Sequence, residues 1–163
     1  MGYRHDRGEG VRSLRAEFTD GLQHFESADY AGALPLFRAA EAAAAVDDVF
    51  QNRYTSFHGL TRVLMGDDSG VKLCRKAAVG QDNDADVYHN LALAEHRLGY
   101  RESAYRALRR GLRIAPGHPG LLRLTHELGL RGRHKLLPVL SRDHPLNRWL
   151  GRMLRGRRKP WHD

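Results

Sequence analysis

Residues 85–116 read ADVYHNLALAEHRLGYRESAYRALRRGLRIAP, and this stretch decides the fold of the 163-residue chain. Apolar residues recur at helical spacing from Val87 to Leu98, and Gly99 then interrupts them. A second helical run begins after Gly99 and stops before Pro116. The spacing therefore predicts two helices joined by a tight turn. Such a hairpin cannot bury its apolar face alone, so we expect further copies to pack against it.

The small and large residues of this stretch follow a fixed order. Along the chain they are Tyr88, Leu91, Ala92, Gly99, Ala104, Leu108, Gly111 and Pro116. The order resembles the tetratricopeptide repeat (TPR), a helical hairpin of about 34 residues. The resemblance implies an all-α, right-handed superhelical solenoid of about three TPR-like hairpins, followed by an irregular C-terminal capping segment.

Two less regular copies precede this stretch. The turn residues Ala28, Gly66 and Gly99 keep one register, at intervals of 38 and 33 residues. The longer interval predicts an extra turn at the end of the first repeat's second helix, within the alanine-rich residues 39–46. Pro35 lies inside that helix, so a kink or a shifted helix start is also predicted.

The repeat pattern weakens toward both ends of the chain. Residues 1–11 are polar and aperiodic, which predicts a flexible leader. Residues 12–132 form the predicted repeat domain, with its last helix at about 120–130. Residues 133–163 are predicted to form a basic C-terminal capping helix and tail, because terminal repeats need a polar outer face. The surface cations expected there are Arg148, Arg152, Arg155, Arg157, Arg158 and Lys159.

The composition is that of a globular domain, with 41% apolar and 28% charged residues. The single cysteine, Cys74, excludes a disulfide framework, and no apolar run is long enough to span a membrane. We therefore expect a cytoplasmic protein. Arginine outnumbers lysine by 23 to 4, a usage that suggests the GC-rich genome of a bacterium.

The net charge of +8 is unevenly distributed along the chain. Residues 1–81 contain 10 Lys/Arg and 11 Asp/Glu, a net −1, whereas residues 82–163 contain 17 and 8, a net +9. This asymmetry suggests an acidic protein partner, or else nucleic acid or an anionic membrane surface bound through the C-terminal half. A merely solvated basic surface gives the same composition. Few aromatic residues accompany the arginines, which disfavours nucleic acid because base-stacking platforms are missing.

No catalytic or metal-binding motif is present in the sequence. There is no phosphate-binding loop, nucleophile elbow or pair of metal-ligating cysteines. His89 and His96 share a helix face, but a rise of about 10 Å separates them, which is too far for one ion. Arg75 and Lys76 would lower the pKa of Cys74, yet its apolar helix face favours a packed small residue. We therefore expect no enzymatic activity, no metal and no cofactor.

In the TPR family the first helices of successive repeats line a concave groove that binds peptides or partner helices. By that resemblance the groove residues of this chain are Arg15, Phe18, Leu22, Phe25, Arg53, Ser56, Leu60, Val63, His89, Leu93, His96, Arg97, Leu122 and His126. The groove so predicted is apolar at one end and basic or histidine-bearing at the other. The resemblance implies a protein–protein interaction adaptor or scaffold whose partner is an acidic or amphipathic protein segment.

Some TPR proteins clamp the C-terminal carboxylate of heat-shock chaperones with lysine and asparagine. Phe18 and Leu22 occupy the first lysine and asparagine positions here, and only Asn90 matches the clamp. Chaperone-tail binding is therefore disfavoured. An amphipathic helix or an extended apolar peptide suits the groove better, with Arg53 and Arg97 selecting acidic flanks.

Overall fold

The computed structural model describes residues 13–45, 47–79 and 83–129. Over these residues the chain contains seven α-helices and no strand. The helices are α1 (Ala16–Glu26), α2 (Tyr30–Ala43), α3 (Gln51–Leu64), α4 (Val71–Ala78), α5 (Ala85–Arg97), α6 (Arg101–Ile114) and α7 (Pro119–Glu127). A 3₁₀ turn, Asp68–Gly70, precedes α4. None of the helices in this described part is long and apolar enough to cross a membrane.

Consecutive helices pack as hairpins, and the hairpins stack on one another. Helices α1 and α2 form the first hairpin, α3 and α4 the second, and α5 and α6 the third. The stack is continuous because α2 packs against α3, both α3 and α4 pack against α5, and α7 packs against α5 and α6. The all-α solenoid of about three hairpins that the sequence predicts is thereby confirmed.

The turn inside each hairpin contains one residue in the left-handed backbone region. Gly66 and Gly99 have φ of 90° and 80°, values that glycine adopts without steric cost. Ala28 takes the equivalent position in the first hairpin with φ of 59°, where its Cβ costs about 1 kcal/mol. The next residue, Asp29, offsets this cost by capping α2, since its carboxylate accepts a hydrogen bond from Gly32 N. The three turn residues therefore occupy equivalent positions in their hairpins, as their spacing in the sequence predicts.

Two neighbouring clusters of buried residues connect the first two hairpins. The first is aromatic, and the ring centroids of Phe37 and Tyr54 lie 5.4 and 4.9 Å from that of Phe18. The second, aliphatic cluster is made of Leu60, Val63, Val71, Cys74 and Ala94. Phe25 packs against both clusters, so the core is continuous between the first and second hairpins.

The predicted extra turn of α2 is absent. Helix α2 has 14 residues, the same number as α6, and it ends at Ala43. The additional residues lie in the connection to α3, where the Asp48 carboxylate accepts a hydrogen bond from Phe50 N at 2.8 Å. Such local bonds compete with helix continuation. Alanine-rich sequence favours a helix, but here the chain has to turn to begin the next hairpin.

Pro35 does not shift the start of α2. The helix begins at Tyr30 and continues through Pro35, which is exposed. The Asp29 cap fixes this start, and it outweighs the single hydrogen bond that proline removes. The last helix, predicted at about 120–130, is α7, which begins at Pro119 and ends at Glu127.

Both ends of the sequence lie outside the described residues. The predicted leader at 1–11 and the predicted basic cap at 133–163, with its six surface cations, fall there. The chain divides into two compact units after Leu128, and the described part of the second unit is Gly129. The leader, the boundary at residue 132 and the cap therefore stay predictions.

Gly59 and Gly70 mark a close approach between α3 and the start of α4. A Cβ at Gly59 would lie 2.6 Å from Gly70 O and 2.8 Å from Leu73 Cβ. We predict that Gly59→Ala lowers the free energy of unfolding by about 1–3 kcal/mol, because the added methyl group overpacks this contact. Gly117→Ala is the matched control, since nothing lies within 4 Å of its added Cβ. Urea denaturation followed by circular dichroism measures both, and equal midpoints contradict the prediction.

Candidate functional site

The predicted groove residues belong to the first helices of the hairpins. Arg15 directly precedes α1, and the others are distributed over α1, α3, α5 and α7. These helices follow one another in the stack: Phe18 of α1 contacts Phe57 of α3, α3 packs against α5, and α5 packs against α7. We call α1, α3, α5 and α7 the first-helix layer, and α2, α4 and α6 the second-helix layer.

Four of the predicted groove residues are buried. Phe18, Leu60 and Val63 are 1%, 0% and 3% exposed. Ser56 is also buried, and its hydroxyl accepts a hydrogen bond from Asn90 Nδ2 at 3.0 Å. These four side chains therefore belong to the core and not to an open groove, because neighbouring helices pack against the positions that the repeat register assigned to the surface.

Other apolar side chains of the first-helix layer remain partly exposed. Leu22, Phe25 and Leu93 of the predicted set are half-buried, and Leu122 is 42% exposed. Phe25 and Leu93 pack against the same aliphatic cluster, as does the half-buried Leu64, which the repeat pattern did not predict. We call Leu22, Phe25, Leu64 and Leu93 the apolar strip.

Arg53 is held in an ion-pair network and is not available to select acidic flanks of a partner. Its guanidinium donates hydrogen bonds to both Asp84 carboxylate oxygens, at 2.8 and 3.1 Å, and lies 3.2 Å from Asp86 Oδ2. Burial alone would lower the pKa of Arg53, but the hydrogen bonds to Asp84 and the charges of both aspartates raise it above its ordinary value. The role predicted for Arg53 is therefore corrected, since it joins α3 to the start of α5.

Two histidines extend this network to α7. His118 caps the start of α7, and its Nε2 lies 2.9 Å from Asp86 Oδ1. Its ring centroid lies 5.4 Å from that of His89. Burial, together with the charge of His118, lowers the pKa of His89, so His89 is neutral at pH 7. His89 therefore packs where α5 meets α7, although the resemblance placed it in the groove.

Asp84, Asp86 and His118 were not among the predicted site residues, but the sequence contains a signal for two of them. Arg53 and Asp86 are 33 residues apart, and Asp86 and His118 are 32 residues apart, which is close to one repeat. Equivalent positions of successive repeats stack on one another. Opposite charges at this spacing can therefore pair across neighbouring first helices.

The other polar groove residues differ in their surroundings. Arg97 is exposed and has no ion pair among the described residues. His96 is half-buried, and its Nδ1 is buried without a hydrogen-bond partner in the same part of the chain. Arg15 Nε lies 3.6 Å from Glu17 Oε2, and His126 is exposed. Arg97 thus presents an exposed guanidinium at the end of α5.

The thiol of Cys74 is unreactive at neutral pH. Its side chain is fully buried, and burial raises the pKa of the thiol to about 12. Arg75 does not offset this shift, because its guanidinium donates two hydrogen bonds to Glu95. Cys74 is therefore the packed small residue that its apolar helix face predicted. Over the described ranges no group of three or more His, Cys, Asp or Glu side chains could hold a metal ion.

The stacked hairpins with left-handed turns define a TPR-like helical-repeat fold, as the sequence pattern predicted. Among solved structures, the chain is similar to the first TPR of Spaghetti (RPAP3) bound to the HSP90 peptide SRMEEVD. The two share 14% identity with a TM-score of 0.55, and the match covers 70% of this chain and 88% of the other. At this identity the likeness shows the fold alone. No protein-family model matches the sequence, and no curated protein is significantly similar to it.

Asp84 joins two structural roles in one side chain. Its carboxylate caps α5 by accepting a hydrogen bond from Asp86 N at 3.0 Å, and it pairs with Arg53 while only 10% exposed. We predict that Asp84→Ala lowers the free energy of unfolding by about 2–4 kcal/mol, because a helix cap and a charge-assisted pair are both lost. Chemical denaturation at pH 7 measures the change.

Asp67→Ala is the matched control for this substitution. Asp67 also accepts a hydrogen bond from a backbone N–H two residues on, that of Ser69, and it also pairs with an arginine, Arg62. Its side chain is 46% exposed, so solvent screens the pair and we expect a clearly smaller loss than at Asp84. Equal losses at the two sites contradict the structural role assigned to the Asp84 network.

Proposed function

We propose that this chain is a non-catalytic interaction module, an adaptor or scaffold, whose first-helix layer binds a segment of another protein. The segment is an amphipathic helix or an extended apolar peptide with acidic residues beside its apolar anchors. The observation that carries the proposal is the apolar strip, in which leucine and phenylalanine side chains of three successive first helices stay partly exposed. Partly exposed apolar patches with polar rims are typical of protein interaction sites.

The apolar strip is supported from beneath by the core. Leu22 packs on the aromatic cluster, Leu64 and Leu93 pack on the aliphatic cluster, and Phe25 packs on both. Because core contacts already restrict these side chains, binding a partner costs little additional side-chain entropy. A helix that presents apolar residues at i, i+3 or i+4, and i+7 matches such a surface.

Arg97 supplies the preference for acidic residues. It follows Leu93 by four positions on α5, so the two side chains share one face of the helix. A partner residue about one turn from the apolar anchor therefore lies near the guanidinium. Arg53 has no part in this preference, because Asp84 and Asp86 already neutralise it.

The HSP90 peptide of the structural neighbour supports the class of function but not the same ligand. Phe18, at the first clamp position, is buried, and Leu22 is apolar. Asn90, which alone matches the clamp, is 1% exposed and donates its side-chain hydrogen bond to Ser56. These three positions therefore do not supply the donors that would hold a terminal carboxylate in that manner.

The setting we propose for the module is the cytoplasm of a bacterium. The support is the single cysteine, which is a buried free thiol, together with the preference for arginine over lysine. Residues 1–11 and 133–163 are proposed to flank the repeat domain as a flexible leader and a basic cap.

Leu93→Glu tests the apolar strip. Peptides selected from a random displayed library on the full chain would be labelled and measured by fluorescence anisotropy. We predict at least tenfold weaker binding to the variant, because a central apolar anchor is worth about 2 kcal/mol or more. Val79→Glu introduces the same charge at a valine that is 77% exposed after α4, outside the strip, and should bind as the native chain does. Equal peptide affinities for the native chain, Leu93→Glu and Val79→Glu contradict the proposal.

Arg97→Glu tests the preference for acidic flanks. Each selected peptide would be compared with a copy in which its acidic residues are replaced by their amides. We predict that the native chain binds the acidic peptide about three- to tenfold more tightly and that Arg97→Glu removes this difference. Arg38→Glu, at an exposed arginine of α2, is the control and should preserve it. A preference that survives Arg97→Glu excludes this role of Arg97.

A further inference from the structure

The charges of the described helices are separated between the two layers. The helices of the first-helix layer contain four Lys/Arg and six Asp/Glu, a net −2. Those of the second-helix layer contain nine Lys/Arg and two Asp/Glu, a net +7. Helices α4 and α6 hold eight of these nine cations and a single acid, Glu102. The basic surface therefore lies away from the apolar strip.

Helices α4 and α6 contribute to one groove. It has a volume of about 540 Å³, and α5 supplies part of its lining through Tyr88. Arg75 from α4 and both Arg106 and Arg110 from α6 line it. Arg75 is neutralised by Glu95, and the exposed Arg106 brings a cation of α6 to the groove. Arg106 therefore extends the cationic side of α6 into this groove.

Three arginines of this face lie over tyrosine rings. The Cζ of Arg110 is 5.3 Å from the Tyr88 ring centroid, and that of Arg109 is 5.8 Å from the Tyr105 centroid. Arg75 lies over a third ring, that of Tyr100, at 5.6 Å. A guanidinium that stacks on a ring uses its face, so at the exposed Arg109 the N–H groups on the edge can meet phosphate oxygens, whereas Arg75 donates two of its N–H groups to Glu95. Tyrosine rings therefore lie beside these arginines, although the sequence showed few aromatic residues near them.

The exposed side of α6 presents a row of cations. Arg106, Arg109 and Arg113 are exposed and follow one another at spacings of three and four residues, so they share one face. The row extends for about 10 Å along the helix, since each residue adds about 1.5 Å of rise. Nucleic acid strands carry phosphates at spacings of a few ångströms, about 3.4 Å per strand along a duplex axis, so the row can reach two or three phosphates.

We propose that the outer face of α4 and α6 binds the phosphate backbone of nucleic acid, without reading its sequence. This outer face is separate from the surface proposed for a protein partner, because none of its residues belongs to the apolar strip. Arg106, Arg109 and Arg113 contact phosphates along α6. The groove between α4 and α6, which Arg106 also lines, accommodates the continuing strand.

The chemistry of this face favours nucleic acid over a protein or a membrane. Ala104, Ala107, Leu108 and Gly111 of α6 are buried, and its Leu112 and Ile114 are half-buried. The exposed aromatic side chain of α6 is Tyr105, and the Arg109 guanidinium lies over its ring. Helix α6 therefore offers a protein partner few apolar anchors, whereas phosphate binding depends on charge. Val79 is exposed beside the groove, but a single valine provides too little apolar area to hold the chain on a bilayer.

The test uses the full chain and a fluorescein-labelled mixed-sequence oligonucleotide, single-stranded and as a duplex, in a salt titration. The combined variant Arg106→Gln, Arg109→Gln, Arg113→Gln should weaken single-strand binding at least tenfold at moderate salt. Its slope of log affinity against log salt should fall by about 2, because each lost phosphate contact removes about 0.7 of counterion release. Circular dichroism of the variants checks that these surface substitutions leave the fold intact.

The matched control is the combined variant Arg38→Gln, Arg97→Gln, Arg123→Gln, which removes three charges from exposed positions on α2, α5 and α7. We expect its affinity for the oligonucleotide to change less than threefold and its salt slope to match that of the native chain. The reason is that the proposal places none of these three arginines in contact with a phosphate. Absence of binding at low salt overturns the proposal, as do equal losses in the two variants. Binding of phosphatidylserine vesicles or polyglutamate, but not of the oligonucleotide, through the same arginines also overturns it in favour of a membrane or an acidic protein.

Discussion

Helix α3 packs on three sides at once, against α2, α4 and α5, and the rest of the solenoid depends on this constraint. Gly59 lets the α4 segment come close, and the polar side chains that α3 buries have internal partners. The Thr55 hydroxyl donates to Glu41 of α2, and Asn90 of α5 donates to Ser56. A helix enclosed in this way contributes core rather than surface. The side chains open to a partner therefore come mainly from its neighbours α1 and α5.

The hairpin turns could be predicted from sequence because their backbone requirements act on single residues. A left-handed turn selects glycine at Gly66 and Gly99, and their spacing locates Ala28 as the equivalent residue. The groove could be predicted less well, because which face of a helix stays open depends on the neighbouring helices. Leu60 and Val63 have the register of groove residues, yet α4 and α5 pack over them. The local sequence pattern thus predicts where the helices and turns lie, whereas tertiary packing determines which face of each helix is exposed.

The electrostatic organisation also depends on the fold. Along the sequence the positive charge belongs to the C-terminal half, whereas in the folded helices it belongs to the second-helix layer. In the sequence Arg53 has no acidic neighbour, whereas in the fold Asp84 and Asp86, more than thirty residues later, lie beside it. The repeat spacing contains this information, but only once the stacking of equivalent positions is known. Composition alone cannot distinguish a paired charge from one that faces solvent.

The separation of charge between the two helix layers makes the described part of the molecule an electric dipole across its thickness. Near a polyanion such a dipole experiences a torque that turns the positive layer inward, even before any contact forms. The apolar strip would then face away from the polyanion and stay open to solution. A protein segment and a polyanion would therefore occupy opposite faces without competing, and the two-layered helical stack would act as a bridge that holds them at a fixed separation.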